Sequence, residues 1–472
     1  MCGIIGVYGV DNAAELAYLG LYALQHRGQE SAGIVAIDRE GEARCHRGMG
    51  LVQEVFPPSV IRELPGNIAI GHTRYSTTGS SVLSNAQPSL VHYHSGPLAL
   101  AHNGNLTNAH VLRDDLIRTG SIFQTSADSE VLVHLIARSD ARVAEDQITD
   151  TLQRVEGAYT LLLTVGRSLY GIVDPRGFRP LTLAQLNEGW VLASETCALD
   201  ILGAVPIREF QPGEWIKVAE GKVVELPRLP VQTPRRCIFE LVYFSRPDSV
   251  VFGRSVDRTR RALGRQLARE HPVPNADCVF SVPDSSNAMA LGFSEQSGVD
   301  YEHGLIRNHY VGRTFINPGK ASRTEKVRIK YNAVRDVVDD RRIVVVDDSL
   351  VRGTTSGGLV QLIRQAGARE IHMRIASPPI TGPCYYGIDT PTYEELVAAN
   401  YSVEEIARLL GVDSLGYLSH AGLLTACDDD TGREFCHACF SGEYPTEVPQ
   451  RRQVSNQSCD RTLGADRNQV RV

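Results

Sequence analysis

No apolar run in the 472 residues approaches the roughly 20 needed to cross a bilayer, so a spanning helix is excluded. The opening residues, Met1-Cys2-Gly3-Ile4-Ile5-Gly6-Val7, lack the basic leader and apolar stretch of a secretory signal. An excess of positive charge is also missing. The formal net charge of −7 provides no broad Lys/Arg surface for neutralising phosphates, which argues against a nucleic-acid partner. There is no internal repeat and no G-x-x-x-x-G-K-[ST] loop, the mark of ordinary nucleoside triphosphatases. Ten cysteines in a chain this long are too few for a disulfide scaffold, leaving buried thiols, a catalytic thiolate or metal ligation. The expectation is a cytoplasmic enzyme with neither membrane nor nucleic acid as partner.

What is present reads as two units, since the length exceeds one typical core. The first half has strand-length apolar runs bounded by Gly or polar turns, at 67–74, 97–102 and 158–165. Helical patterns fall at Ala13–Leu24 and, after a Ser/Asp start, at Ala127–Ala137. The stretch 226–236 holds three prolines and little periodicity, as a linker or an extended crossing segment would. Beyond it the rhythm becomes strand–turn–helix, at 277–282, 343–346, 354–366 and 371–375. That grammar predicts a mostly parallel sheet with ligands at the strand C-termini. The polar segment 451–472 is expected to be poorly ordered.

Chemistry is most concentrated at Val344-Val345-Val346-Asp347-Asp348-Ser349-Leu350-Val351-Arg352-Gly353-Thr354-Thr355-Ser356. A buried strand delivers two carboxylates, and a turn rich in Gly and hydroxyls opens a helix. Backbone N–H groups and hydroxyls there make an anion site. The adjacent carboxylates suit ribose hydroxyls, or Mg2+ bound to pyrophosphate. Upstream, a run of basic residues through 312–332 reads either as a solvated loop or as a lid that orders over a phosphate.

A lone Cys near a chain start usually means packing. At position 2, however, removal of Met1 puts a thiol and a free α-amine on one residue, and the amine can act as base for its own side chain. His102-Asn103-Gly104-Asn105-Leu106 follows an apolar strand, so the Asn103 side chain and Gly104 N–H could donate to an oxyanion. Arg74 could pair a carboxylate bidentately and Asp128 could hold an ammonium, the two charged ends of an amino acid.

These strings resemble two families. The first half, over about 2–228 and including His26-Arg27-Gly28-Gln29-Glu30-Ser31-Ala32-Gly33, is similar to class II glutamine amidotransferases. The resemblance implies Cys2 as nucleophile, Asn103 and Gly104 as oxyanion hole, and Arg74 and Asp128 as the glutamine clamp. The second half, 237–450, resembles type I phosphoribosyltransferases, which use phosphoribosyl pyrophosphate (PRPP) with Mg2+. By that resemblance Asp347 and Asp348 hold ribose and metal, with Ser285 adding a metal-binding hydroxyl. Ser349, Arg352, Gly353, Thr354 and Thr355 belong to the PRPP phosphate cradle. The fold implied is α/β overall: an α+β αββα sandwich of the N-terminal-nucleophile kind, then an α/β domain.

Joined, the halves are similar to the glutamine-dependent PRPP amidotransferases of purine synthesis. That implies formation of 5-phosphoribosylamine, glutamate and pyrophosphate from glutamine, PRPP and water, with ammonia passed between the sites. It also implies a homotetramer inhibited by purine nucleotides. Cys436-His437-Ala438-Cys439, with Cys237 and Cys384 upstream, is compatible by spacing with structural zinc, an iron–sulfur cluster or no metal. The resemblance selects a 4Fe–4S cluster on Cys237, Cys384, Cys436 and Cys439. Other class II amidotransferases would carry a sugar-isomerase or ATP-pyrophosphatase second half. A PRPP-binding repressor would not need Cys2, Arg74, Asn103 and Asp128.

Overall fold

The computed structural model describes residues 1–75, 80–309, 323–390, 392–429 and 433–448. The tail 451–472, the motif residues 76–79 and the lid residues 312–322 lie outside the described residues.

The first half is a four-layer sandwich of two antiparallel sheets between helices. One sheet has seven strands, in the order Val205–Glu209, Thr182–Leu186, Gly189–Ala193, Gly3–Tyr8, Ile68–Arg74, Ser31–Ile37 and Ala43–Met49. The other has six: Lys222–Glu225, Trp215–Ala219, Ser168–Val173, Gly157–Val165, Gly96–Leu106 and Ser89–Tyr93. Ile4, Val35, Ile68 and Ile70 from the first sheet meet Ala99, Ala101, Leu162 and Ile216 from the second, forming the central core. Strands Ser31–Ile37 and Ile68–Arg74 are buried at every residue, as expected of strands covered on both faces. Helix Ala13–Ala23 covers the seven-stranded sheet, and Glu130–Arg138 and Ala144–Leu152 cover the other.

The helix expected from Ala127 begins instead at Glu130. Asp128 does not cap it; its Oδ2 accepts the Leu106 N–H at 2.9 Å. The proline-rich stretch is also more than a loose spacer. Lys222–Glu225 is a strand, and Leu229, Gln232 and Arg235 donate backbone hydrogen bonds to Gly213, Pro175 and Arg176.

The second half carries a four-stranded parallel sheet ordered Cys278–Ser281, Arg342–Asp347, Glu370–Ile375 and Ser414–Tyr417. Helices Val256–Glu270 and Asn287–Ser297 pack on one face, and Thr354–Gln365 packs on the other. A two-stranded parallel ladder, Arg236–Cys237 with Phe435–Cys436, ties the end of the linker to the C-terminal segment.

Candidate functional sites

Cys2 immediately precedes the central strand of the seven-stranded sheet, Gly3–Tyr8, and is buried. Its N–H donates to Asn103 Oδ1 at 3.1 Å, and its Sγ lies 3.9 Å from the Tyr75 carbonyl oxygen. Asn103 sits on the facing sheet, fully buried, and its Nδ2 has no hydrogen-bond partner among the described residues. A buried donor without an acceptor costs about 1–3 kcal/mol, and an incoming oxygen would relieve that cost. Gly104 has φ +150°, and a Cβ there would stand 2.1 Å from the Ala158 carbonyl oxygen, so only glycine fits. His72, on the adjacent strand, is pushed down to about 3 chiefly by burial, and so is neutral near pH 7. It bonds the His102 carbonyl oxygen at 3.1 Å rather than Cys2.

Arg74 ends its strand with its guanidinium 3.3 Å from Glu30 and 3.2 Å from the Ser80 carbonyl oxygen. Asp128, besides accepting from Leu106, lies 3.7 Å from His102 Nδ1. Both flank the strand end that carries Asn103 and Gly104. A ligand carboxylate at Arg74 would have to share it with Glu30.

Met1 is present and 1% exposed, its sulfur against Arg179 and its side chain in the core of the second half. Burial lowers its α-ammonium to about 6. Around it lies an ionic network not foreseen from the sequence. Arg27 Nε donates to the Cys2 carbonyl oxygen at 2.9 Å, while its Nη atoms bond Glu195 and both oxygens of Glu240, at 2.7 and 3.0 Å. Arg179 reaches Glu240 at 3.4 Å, and His26 reaches Glu195 at 2.8 Å. Arg27, Glu195 and Glu240 are fully buried. Burial alone would raise Glu195, but His26 and Arg27 outweigh it and hold the carboxyl below its usual range; Arg27 and Arg179 do the same for Glu240.

In the second half, Asp347 ends the strand Arg342–Asp347 and Asp348 follows it. Ser285 donates to Asp348 Oδ2 at 2.5 Å, Ser349 to Asp348 Oδ1 at 2.5 Å, and Ser286 to Asp347 Oδ1 at 3.2 Å. The two loops bearing these residues therefore meet. Burial, then the neighbouring Asp348 charge, raises Asp347; burial raises Asp348. Two desolvated carboxylates side by side, with hydroxyls around them, are a donor set suited to a hard divalent cation. Gly353 has φ +73° and turns the chain into helix Thr354–Gln365, whose first N–H groups face the same strand end. Arg352, at the loop's rim, pairs with Glu395 at 3.0 Å. Of the basic segment, Arg323–Lys330 is a helix with Val327 against Gly358.

Cys237, Cys384, Cys436 and Cys439 line one small cavity, closed by Phe178, Phe239, Tyr386 and Tyr444. Burial, with the neighbouring thiols contributing, raises Cys436 and Cys439. Among the described residues, no three His, Cys, Asp or Glu groups converge as a ready ion site. Four thiols around one apolar cavity are soft donors in a dry setting. The set therefore fits a cluster with sulfur ligands.

The glutamine amidotransferase domain family matches residues 72–200. The chain is 50% identical over 447 residues to amidophosphoribosyltransferase 2, chloroplastic, of Arabidopsis thaliana, covering 94% of this chain and 79% of that protein. It is 48% identical to the amidophosphoribosyltransferase of Bacillus subtilis, covering 95% of each. With that of Archaeoglobus fulgidus it shares 48% identity, over 95% of this chain and 99% of the other. One similar solved structure is described as the allosteric regulatory enzyme of purine biosynthesis, with TM-score 0.90, 47% identity and coverage of 95% and 97%. Another is glutamine PRPP amidotransferase from B. subtilis complexed with ADP and GMP, with TM-score 0.89, 48% identity and coverage of 95% and 98%.

Proposed function

Since this chain belongs to the amidophosphoribosyltransferase family, we propose how its residues divide the reaction between two sites. The reaction is the first step of purine biosynthesis, forming 5-phosphoribosylamine, glutamate and pyrophosphate from glutamine, PRPP and water.

In the first half, spanning 2–228, Cys2 without Met1 is the nucleophile. Its α-amine takes the thiol proton, and the sulfur attacks the glutamine carboxamide carbon. Asn103 Nδ2 and the Gly104 N–H receive the developing oxyanion; Arg74 and Asp128 hold the substrate's carboxylate and ammonium. Ammonia leaves, and water hydrolyses the thioester to glutamate. The observation that carries this reading is Asn103. Its Oδ1 fixes the Cys2 nitrogen at 3.1 Å while its Nδ2 stays buried and, among the described residues, unpartnered.

In the second half, 237–450, Asp347 and Asp348 hold the PRPP ribose. Ser349, Arg352, Gly353, Thr354 and Thr355 bind its 5-phosphate. Asp347, Asp348 and Ser285 would hold Mg2+, which family members generally use; bound there it would neutralise the departing pyrophosphate. Ammonia adds to ribose C1 as pyrophosphate leaves, in a site that keeps the amine neutral by excluding water. Its passage between the halves is supported by their direct packing beside Gly104.

Cys237, Cys384, Cys436 and Cys439 would bind a 4Fe–4S cluster with a structural role, fastening the linker end to the C-terminal segment. A homotetramer, feedback by purine nucleotides and a cytoplasmic location complete the reading. The relative bound to ADP and GMP supports nucleotide regulation, and the free state of the nine described cysteines suits a reducing compartment. PRPP-dependent glutamine hydrolysis, measured with and without Mg2+, tests the two-site mechanism. Glutaminase activity indifferent to PRPP would overturn the coupling.

A further inference from the structure

The backbone just after Cys384 grips the first half at the proposed oxyanion hole. The Tyr385 carbonyl oxygen accepts the Asn105 Nδ2–H at 2.9 Å, and the Tyr386 carbonyl oxygen accepts from Arg179 at 2.6 Å. The Tyr386 ring stacks on Phe178 with centroids 4.4 Å apart. Gly387, at φ +104°, lies so close that a Cβ would stand 2.9 Å from the Gly104 carbonyl carbon and oxygen. Gly104 is thus wedged between Ala158 on the neighbouring strand and Gly387 from the other half of the chain.

We propose that Tyr385–Gly387 is a positioning element for the glutaminase, with Asn105 and Gly387 as positioning residues that set the Gly104 peptide. The proposal rests on the assignment of Asn103 and Gly104 to the oxyanion hole. Its physical basis is that donors stabilise an oxyanion only when preorganised to within a few tenths of an ångström. Gly104 has no side chain to anchor it, and its φ of +150° is a conformation that its surroundings must impose. On the first-half side the strand ladder to Tyr159 supplies one wall. The second wall comes from the phosphoribosyl-transferring half. Asn105 pins the register of the two, two residues from Asn103, by reaching across to the Tyr385 carbonyl. Tyr386 N–H also lies 3.3 Å from Cys384 Sγ, so the element is anchored at the edge of the four-thiol cavity.

The test uses the full-length enzyme with its native metal content and three variants: Asn105→Ala, Gly387→Ala and, as reference, Asn103→Ala. Both positioning variants are expected to lower kcat for glutamine hydrolysis by about 10- to 100-fold, the scale of a misplaced donor. KM for glutamine should stay within about twofold, because Arg74 and Asp128 are untouched. Alkylation of Cys2 by iodoacetamide, which displaces iodide at carbon and builds no oxyanion, should keep the parental rate. General disorder of the site would slow alkylation and raise KM together. Asn105→Ala carries the test by itself if Gly387→Ala does not fold. Parental kcat in Asn105→Ala, or loss of kcat together with alkylation, overturns the proposal. Parental kcat in Asn103→Ala would overturn the oxyanion assignment instead.

Discussion

Replacing Glu240 by Gln keeps the shape of the side chain and removes one negative charge from the network beneath Cys2. Arg27 would then keep Glu195 while Arg179 would lose its ion pair with Glu240, in a place where Arg27, Glu195 and Glu240 have no exposed surface. Breaking a buried pair on one side costs about 3–5 kcal/mol, because the remaining charge stays desolvated. A cooperative unit of about 220 residues unfolds with an entropy near 0.46 kcal/mol/K, so the expected fall in Tm is about 6–11 °C. Glutamine hydrolysis should fall as well, since the same Arg27 fixes the Cys2 carbonyl oxygen at 2.9 Å through Nε. Scanning calorimetry of Glu240→Gln, Arg27→Met and the double variant Arg27→Met/Glu240→Leu measures the effect. The double variant removes the Arg27–Glu240 pair together and leaves Glu195 with His26, so it should recover part of the loss, as replacing a whole buried pair often does. A Tm within about 2 °C of the parent in Glu240→Gln would refute the view that this network bears stability.

Cys2→Ala should abolish glutamine-dependent synthesis while sparing synthesis from added ammonia; loss of both, assayed as PRPP-dependent pyrophosphate release, would sink the two-site mechanism. Gly104→Ala would place a methyl 2.1 Å from the Ala158 carbonyl oxygen and should cost glutaminase kcat about 100-fold or more. Anaerobically purified protein should absorb near 400 nm and carry about four irons per chain, and Cys384→Ser should lose both; stoichiometric zinc would refute the cluster. Glu195 and Glu240 sit below the ordinary carboxyl value of 4.5 in the folded state, so their contribution is complete above that pH. It is lost as pH falls through the depressed folded values, so urea midpoints at pH 5.5 and 8 should show no change traceable to this pair.

The parts legible in the sequence were those where chemistry is local. Asp347, Asp348 and Gly353 fall within one strand–turn–helix, so their neighbours in space are their neighbours in sequence. Asn103 and Gly104 stand out for the same reason, as polar residues after an apolar run, although the strand itself continues through them to Leu106. The Arg27–Glu195–Glu240 network could not, because its members come from three distant segments and periodicity treats each as an isolated charge. The string His26–Gly33 contains Arg27, but nothing local in it says that two arginines and two glutamates meet underneath Cys2. The proline-rich stretch left a loose linker and an extended crossing segment equally open, and residues beside its prolines donate their N–H groups to fixed carbonyls of the first half, as the second reading requires. Asp128 stands just before a helix, yet its carboxylate accepts the Leu106 N–H from a strand 22 residues earlier in the chain, a contact no local pattern announces. Gly387 carried no signal at all, since a glycine required by a neighbour across the interface is indistinguishable from one required by a turn.

The ladder that joins Arg236–Cys237 to Phe435–Cys436 closes the second half end to end. Its first and last strands hold each other, although nearly the whole of that half separates them along the chain. A chain cut short before Phe435 would leave the Cys237 edge without its backbone partner.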